Sequence, residues 1–368
     1  MSAVPLVDLA LQHAQVADEV QRGFAEVLAS CAYVGGPAVA AFEREYASAL
    51  GVRHCIGVAN GTDAIELALR ACGIGAGDEV VLPANTFVAT AEAVVRAGAV
   101  PVLADVDKDC LLLDPESVAS VVGPAARAVV PVHLFGQAAP VESLADIAAE
   151  HGLLVIEDAA QSQGALRRGR PAGSFGVASA TSFYPGKNLG AYGDAGAVMT
   201  DDDDVARRVR LLGNHGSAAK YRHEELGFNS RLDTLQAVVL RCKLARLAGW
   251  NDLRRAAADY YDELLGGTRD VRLPGRLAGN VDVWHLYVVR VPDRDSVLAQ
   301  LNEAGIGAGI HYPVPVHLQP AFRGLGRGPG SFPVAETAAQ EILSLPLYPG
   351  ITRAQQEQVA EALQAALA

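Results

Sequence analysis

A single lysine follows a Pro-Gly turn in the segment SFYPGKN, which spans residues 182–188. The apolar run from Ala178 to Phe183 precedes the turn and predicts a buried strand that ends there. Apolar surroundings disfavour an ammonium ion, so they lower the pKa of Lys187 and leave an amine that can attack a carbonyl carbon. The same pattern also fits an ordinary surface lysine after a turn, and an acidic partner is needed to decide between the two.

A second segment supplies that partner. The apolar run Leu153–Ile156 predicts a core strand of a parallel sheet, and Glu157, Asp158 and Gln161 follow it. Ligands of open α/β sheets bind beyond the carboxyl ends of the strands. A lysine that can form a Schiff base, with a carboxylate that can pair with a pyridinium nitrogen, is the arrangement that binds pyridoxal phosphate (PLP). We assign the carboxylate role to Asp158 and interpret Glu157 as a helix cap or a surface pair.

Several motifs follow one another in an order that resembles a known family. They are VIEDAAQ, SFYPGKNLG and GDAGAVMT, with VANGTDAIELAL, GDEVVLPANTFVAT, PVHLFGQ, NSRLDTLQA, GIHYPVPVHLQPAF and LSLPLYP. Over nearly its whole length the chain resembles the DegT/DnrJ/EryC1/StrS aminotransferases, PLP enzymes that aminate nucleotide-linked keto sugars. The resemblance implies an α/β protein of fold type I, the fold of PLP-dependent transferases.

The resemblance also implies the layout of the domains. A large PLP-binding lobe, residues 1–250, would hold a mostly parallel seven-stranded sheet flanked by helices. A smaller C-terminal α+β lobe would span residues 251–368, with the N-terminal helix packed on it. From the sequence pattern alone we expect alternating strands and helices, a first helix over residues 11–30 and a strand over 306–310.

Composition and charge exclude several classes of partner. The chain has 368 residues with 50% hydrophobic content, which is enough for a large core. The net charge of −12 and the lack of a Lys/Arg block predict neither nucleic acid nor an anionic membrane as a partner. The N-terminus has no signal pattern, and no apolar run is long enough to span a bilayer. Five scattered cysteines without CxxC spacing indicate reduced thiols in a cytoplasmic protein, and we predict no metal site.

The turn NGTD at residues 60–63 offers a binding place for an anion. It lies between a predicted strand and a predicted helix over residues 64–72, where free N–H groups and the helix dipole attract negative charge. Gly61 allows close approach of the backbone and Thr62 adds a hydroxyl, although Thr62 or Asp63 can also simply cap the helix. The resemblance implies that Gly61 and Thr62 bind the PLP phosphate.

The resemblance implies the remaining contacts with the cofactor. Phe87 follows a predicted strand and would stack on the PLP ring, although its local sequence fits a core position equally well. Asp158 would pair with the pyridinium nitrogen, Gln161 with the ring hydroxyl, and Ser182 with the phosphate. Lys187 would hold the cofactor covalently.

A polar segment ends near Arg231. In the family this segment reaches the active site of the neighbouring subunit, where the residue matching Asn229 touches the PLP phosphate. The resemblance therefore implies a homodimer with shared active sites. Arg231 can bind a carboxylate or take part in a structural ion pair, and both interpretations stay open.

Five further residues are candidates for contact with the substrate. Tyr33 precedes a Gly-Gly turn at a possible substrate mouth, and Tyr184 belongs to the lysine segment. His311, Tyr312 and His317 lie in a segment that contacts the sugar or its diphosphate in relatives. Their spacing does not suit a two-histidine metal site on one helix face.

The reaction that the resemblance implies is a transamination in two halves. Glutamate would give its amino group and leave as 2-oxoglutarate, and a nucleotide-linked keto sugar, with dTDP the expected nucleotide, would receive the group at C3 or C4. Lys187 would move the proton that each half requires. Antibiotic-sugar and surface-glycan biosynthesis both fit the family.

Two alternatives stay open. One is a PLP-dependent sugar dehydratase, against which Lys187 argues because those relatives carry histidine instead. The other is a catalytically silent regulator, against which the set Asp158, Gln161, Ser182 and Lys187 argues.

Overall fold

The computed structural model describes residues 3–368, which form thirteen α-helices and fourteen β-strands. The helices are α1 (Leu9–Ala14), α2 (Ala17–Ser30), α3 (Pro37–Leu50), α4 (Gly61–Ala71), α5 (Val88–Arg96), α6 (Pro115–Val121), α7 (Val141–His151), α8 (Asp203–Gly213), α9 (Thr234–Leu244), α10 (Leu247–Leu265), α11 (Arg294–Glu303), α12 (Pro333–Glu341) and α13 (Arg353–Ala366). The strands are β1 (His54–Val58), β2 (Glu79–Pro83), β3 (Val100–Ala104), β4 (Ala126–Val129), β5 (Leu154–Asp158), β6 (Leu166–Arg167), β7 (Arg170–Pro171), β8 (Ala178–Ser182), β9 (Gly196–Thr200), β10 (Ser217–Ala219), β11 (Arg222–His223), β12 (Asn280–Val281), β13 (Tyr287–Arg290) and β14 (Ile342–Leu345).

A seven-stranded sheet forms the centre of the larger lobe, in the order β1-β9-β8-β5-β4-β2-β3. Neighbouring strands from β8 to β3 pair in parallel, whereas β9 runs antiparallel to both β1 and β8. The structure thus confirms the predicted mostly parallel sheet. Because β1 and β8 run in the same direction, the carboxyl ends of β1, β2, β5 and β8 lie at one edge.

Helices cover both faces of this sheet, which explains why its strands are continuous apolar runs. Within β2, Val80 and Leu82 pack in a core shared with α4 and α5, whereas Val81 packs on the other face with α6 and α7. The side chains of successive strand residues point to opposite faces, so an apolar layer on each face requires an unbroken apolar sequence.

The smaller lobe has a separate apolar core. Strands β13 and β14 pair antiparallel, and Tyr287 of β13 packs in one core with Tyr261 of α10 and Leu301 of α11. Helix α13 packs on both α10 and α11. Helix α10 begins in the larger lobe and ends in this core, so the predicted boundary at residue 250 falls inside a helix. The division at 250/251 stays a prediction.

The N-terminal region contacts both lobes. The helix expected over residues 11–30 is instead two helices, since α1 ends at Ala14 and α2 begins at Ala17. Helix α2 packs on α9 of the larger lobe. The extended segment before α1 contacts the smaller lobe, where Val4 forms a parallel bridge with Ile306. The strand expected over 306–310 was wrong, because that segment forms only isolated bridges.

Three further findings concern residues 3–368. None of their helices is both long and apolar enough to cross a bilayer. No three His, Cys, Asp or Glu side chains among them converge as a candidate metal site. The five cysteines are all free thiols.

Candidate active site

A cavity of about 680 Å³ lies where the carboxyl ends of β1, β2, β5 and β8 meet the N-terminal segment and the smaller lobe. Its volume is within the range of pockets that enclose small ligands. Ten of the predicted site residues line it: Gly61, Thr62, Phe87, Asp158, Gln161, Ser182, Tyr184, Lys187, His311 and Tyr312. The sheet edge thus brings together residues that are far apart in the sequence.

Lys187 is carried by a closed loop that follows β8. The N–H of Ala191 donates to the carbonyl of Phe183 at 2.7 Å, and the N–H of Lys187 donates to the carbonyl of Tyr184 at 2.8 Å. Burial lowers the pKa of Lys187 to about 8, while the negative charge of Asp158 acts in the opposite direction. The alternative of an ordinary surface lysine therefore does not apply, and the side chain can supply a neutral amine near neutral pH.

Asp158 ends β5, and its carboxylate is buried and oriented by two donors. The hydroxyl of Thr90 donates to Oδ2 at 2.8 Å, and the N–H of Ala160 donates to Oδ1 at 3.1 Å. Thr90 in turn lies 2.8 Å from the hydroxyl of Thr86. Carboxylate oxygens accept more than one hydrogen bond each, so Asp158 can also accept from a ring N–H. Sequence reasoning missed Thr90; the signal was the i, i+4 pair of threonines in TFVAT.

An anion cradle forms where α4 meets the end of β8. Asn60 caps α4 by accepting from the N–H of Asp63 at 2.8 Å, so the alternative that Thr62 or Asp63 only caps the helix does not apply. The N–H groups of Gly61 and Thr62 have no partner within the helix. A Cβ on Gly61 would lie 2.6 Å from Cβ of Ser182, so glycine permits this close approach. Together with the hydroxyl of Ser182, these donors and the helix dipole suit a phosphate.

An aromatic wall borders the same cavity. The rings of Phe87 and Tyr312 lie 5.0 Å apart between centroids, with an interplanar angle of 38°. Gln161 supports this wall, because its amide donates to the Tyr312 hydroxyl at 3.1 Å and accepts from the N–H of Phe135 at 2.6 Å. Phe87 is 49% exposed, which excludes the alternative that it is a core residue. A flat ring can stack on such a surface.

Two histidines line the cavity beside the lysine. His311 Nδ1 lies 2.8 Å from the hydroxyl of Ser344, and burial with the charge of Lys187 lowers the pKa of His311 to about 4. His285, which sequence reasoning missed, has a buried Nδ1 that no described residue partners. Burial, with the charges of Lys187 and Arg254, lowers its pKa well below the ordinary value. Both imidazoles are therefore neutral at pH 7.

Tyr33 and His317 lie outside this cavity. The hydroxyl of Tyr33 donates to Sγ of Cys31 at 3.7 Å on an exposed surface. His317 is buried, with Nε2 2.9 Å from a carboxylate oxygen of Glu336. The structure thus does not bring either side chain to the other candidate residues.

Asn229 and Arg231 also lie away from the cavity of their own chain. Asn229 is exposed and forms an antiparallel bridge with Asn214. Arg231 donates to the side-chain oxygen of Asn214 at 3.0 Å, and no carboxylate in residues 3–368 forms an ion pair with it. Neither of the two roles considered for Arg231 is visible within one chain.

Glu157 corrects an expectation, since it is neither a helix cap nor a surface pair. It is 1% exposed and lies 2.8 Å from Nε2 of His133. Nδ1 of His133 accepts from the N–H of Ala139, so Nε2 carries the hydrogen and donates. Burial alone would raise the pKa of Glu157, but its donors hold that pKa below the ordinary value. The further donors are the N–H groups of Gly173, Phe175 and Gly176.

The residues of the cavity fit PLP. Lys187 offers an amine for its aldehyde, Asp158 an acceptor for its ring nitrogen, and the cradle at Gly61 three donors for its phosphate. Phe87 offers a surface for its ring. This combination of a desolvated lysine with a carboxylate is the one that PLP chemistry requires.

Comparisons with known proteins agree with this geometry. The sequence profile described as the DegT/DnrJ/EryC1/StrS aminotransferase family matches residues 14–364. The chain is 46% identical to the erythromycin biosynthesis sensory transduction protein EryC1 of Saccharopolyspora erythraea, over 98% of this chain and 99% of that protein. It is 45% identical to the dTDP-3-amino-3,4,6-trideoxy-alpha-D-glucose transaminase of Streptomyces venezuelae, over 98% of this chain and 95% of that protein.

A solved structure shows the same fold. The crystal structure of S. venezuelae DesV in complex with a ketimine intermediate aligns with a TM-score of 0.97 and 44% sequence identity. The alignment covers 99% of this chain and 98% of that chain. It confirms the fold expected from the sequence.

Proposed function

The chain belongs to the DegT/DnrJ/EryC1/StrS aminotransferase family and is an enzyme whose cofactor is PLP, and on this premise we propose that it aminates a nucleotide-linked keto sugar. The observation that carries the proposal is the convergence of Lys187, Asp158 and the anion cradle in one cavity. A protein that used this fold only as a scaffold would not need a desolvated lysine beside a buried carboxylate.

The chain's own residues would hold the cofactor in a fixed orientation. Asp158 would keep a proton on the ring nitrogen, and Thr90 would hold the carboxylate in place for that bond. The N–H groups of Gly61 and Thr62, with the hydroxyl of Ser182, would bind the phosphate. When bound, PLP supplies a ring that stabilises negative charge on the substrate carbon from which a proton is removed.

Lys187 would carry the proton transfers. Its neutral amine would act as the general base that takes a proton from the α carbon of the amino donor and as the acid that returns it. The pKa of about 8 is near the working pH, where a general base is most effective. In the second half of the reaction the same nitrogen would move a proton in the reverse sense.

For the substrate we propose a dTDP-linked 3-keto deoxy sugar, with glutamate as amino donor and 2-oxoglutarate as its product. Support for carbon 3 and for dTDP comes from the name of the S. venezuelae transaminase. Tyr184, His311 and Tyr312 line the same cavity and would contact the sugar. The EryC1 name favours antibiotic-sugar biosynthesis over surface-glycan biosynthesis as the pathway.

The proposal includes a homodimer with shared sites. Asn229 is exposed and does not line the cavity of its own chain. A second copy would therefore have to bring Asn229 to the phosphate end of this cavity. The oligomeric state at micromolar concentration, measured by sedimentation, would test this part, and a monomer with full activity would refute it.

The experiment has two stages. Purified protein is first titrated with PLP, and we expect a Schiff-base absorbance band that Lys187→Ala abolishes. The holoenzyme is then incubated with glutamate and a panel of dTDP- and UDP-linked 3-keto and 4-keto sugars, and mass spectrometry with NMR identifies the product. An amine at carbon 3 of a dTDP sugar supports the full proposal. A deoxygenated product would identify a dehydratase, and the absence of a PLP band would identify a silent regulator.

A further inference from the structure

A second lysine is buried outside the cavity. Lys243 in α9 is 3% exposed, and its Nζ donates to the carbonyl oxygen of Gly190 at 2.7 Å. The same atom lies 4.7 Å from the centroid of the Tyr192 ring. No carboxylate in the described chain pairs with it, and burial lowers the pKa of Lys243 to about 8. A buried amine without a carboxylate is costly to maintain, so its contacts need an explanation.

The carbonyl that Lys243 binds lies at the base of the loop that carries Lys187. A Cβ on Gly190 would lie 2.3 Å from the carbonyl oxygen of Pro185, so the backbone at Gly190 is in close contact with the backbone at Pro185. Next to it, the hydrogen bond from Ala191 to Phe183 closes the loop. Lys187 is therefore presented from a closed loop whose base Lys243 holds.

Other contacts hold the same loop, one directly after Lys187 and one just after the loop closes. The amide of Asn188 donates to the side chain of Asn251 at 2.9 Å. The N–H of Tyr192 donates to the side chain of Gln236 at 2.8 Å. Lys243 differs from these because, among residues 3–368, it is the donor that the Gly190 carbonyl has. Removal of Lys243 would leave that carbonyl buried and unpaired, and the loop base would move to reach another donor.

We propose that Lys243 is a positioning residue for Lys187: from α9 it fixes the base of the lysine loop and so sets where the amine of Lys187 meets the cofactor. This inference rests on the proposed function, because it assumes that Lys187 binds PLP. A reacting group must be held within about 0.5 Å of its productive place. A displacement of ~1 Å, caused by a change outside the site, can cost on the order of 100-fold in rate.

The test compares Lys243→Met with Arg241→Met. Methionine matches the length of lysine but has no donor, so the Gly190 carbonyl loses its partner. Arg241 is the matched control, because it lies on the same helix but pairs at the surface with Glu45 at 2.7 Å. Three quantities are measured for both proteins: the dissociation constant for PLP, the pH midpoint of the Schiff-base absorbance, and kcat with KM for the amino donor. Thermal unfolding without PLP reports whether each variant folds.

We expect Lys243→Met to weaken PLP binding about 10-fold, to shift the absorbance midpoint, and to lower kcat by roughly 10- to 100-fold while KM changes little. Arg241→Met should keep the wild-type values. A purely structural role of Lys243 would lower the unfolding temperature but leave the PLP affinity and the absorbance midpoint unchanged, and that result would overturn the inference.

A second variant, Lys243→Gln, tests the inference if Lys243→Met does not fold. Lys243→Gln keeps an amide donor of shorter reach, so we expect smaller shifts in the same direction, and wild-type titrations for this variant would also overturn the inference. Failure of the proposed function can be distinguished from failure of this inference, since the wild-type protein would then show no Schiff-base band. A wild-type band with unchanged variants rejects only the role of Lys243.

Discussion

The hydroxyl of Thr90 donates to Oδ2 of Asp158 at 2.8 Å, from the first turn of α5 to the end of β5. Thr90 is 1% exposed and Asp158 is 5% exposed, so the bond is shielded from water. Hydrogen bonds to a carboxylate are shorter and stronger than those between neutral groups, and they fix its plane. The orientation of the acceptor for the ring nitrogen is therefore set by a residue outside the strand that carries it.

Replacement of Thr90 by valine should lower kcat by about 10- to 100-fold, because a hydrogen bond to a charged group contributes ~1.5–3 kcal/mol. Valine keeps the shape of the side chain and removes only the donor. Steady-state kinetics with saturating PLP measure the effect, and Thr90→Ser, which keeps the hydroxyl, is the control. Equal kcat values for the valine and serine variants would show that the bond has no part in catalysis.

The capture of PLP by Lys187 should depend on pH with a midpoint near 8. The pKa of Lys187 is lowered to about 8 by burial, and only the neutral amine attacks the aldehyde. The rate of Schiff-base formation by apo-protein should therefore rise as the pH increases through about 8 and then level off. Stopped-flow absorbance between pH 6 and 10 measures it. A rate still rising in proportion to hydroxide at pH 10 would mean that the lysine has its ordinary pKa.

Asp158→Asn should move that midpoint to lower pH. The negative charge of Asp158 raises the pKa of Lys187, so its removal leaves burial unopposed. The same variant should lose most of its transaminase activity, because a neutral amide cannot keep the ring nitrogen protonated. The two effects are read separately, by the rate of PLP capture and by steady-state turnover. A midpoint that moves to higher pH would contradict the electrostatic coupling between the two residues.

The close approach of α4 to β8 gives a test of the anion cradle. Gly61→Ala would place a Cβ 2.6 Å from Cβ of Ser182, so α4 and β8 must separate where the phosphate would bind. We expect the dissociation constant for PLP to rise about 10-fold, since a weakened phosphate contact costs ~1.4 kcal/mol or more. Gly249→Ala is the control, because a Cβ there meets no atom within 4 Å. Equal affinities in the two variants would place the phosphate elsewhere.

The sequence predicts the position of a site residue well where the pattern of a short segment is sufficient. Lys187 and Asp158 each follow an apolar strand, and the carboxyl ends of parallel strands meet at one edge of the sheet. The positions of Gly61 and Ser182 follow from the same rule. For these residues the pattern of a short segment is enough to place the side chain.

The residues that sequence reasoning misplaced or missed depend on distant contacts. Glu157 directly precedes Asp158 and looks like a surface acid, but its donors come from segments on either side of it in the sequence. Lys243 lies in a helix that also carries the exposed Arg241, so nothing local marks it as buried. His285 is a single polar residue in an apolar run, where burial and exposure look alike. Such environments are set by which elements pack together, which one segment does not encode.

The buried carboxylate of Glu157 gives a prediction about stability and its dependence on pH. Glu157→Gln should lower the free energy of unfolding at pH 7 by about 3 kcal/mol, because four donors would then face a neutral amide instead of a charged acceptor. The pKa of Glu157 in the folded protein is below the ordinary value of 4.5, so its stabilising contribution is complete above that pH. The contribution is lost as the pH falls through the folded pKa. Urea unfolding of the wild type and the variant at several pH values measures the difference, which should stay constant from pH 7 to about 5 and shrink below 4.5. A difference that grows as the pH falls would mean that folding raises this pKa, and that burial outweighs the hydrogen bonds from His133 and the backbone.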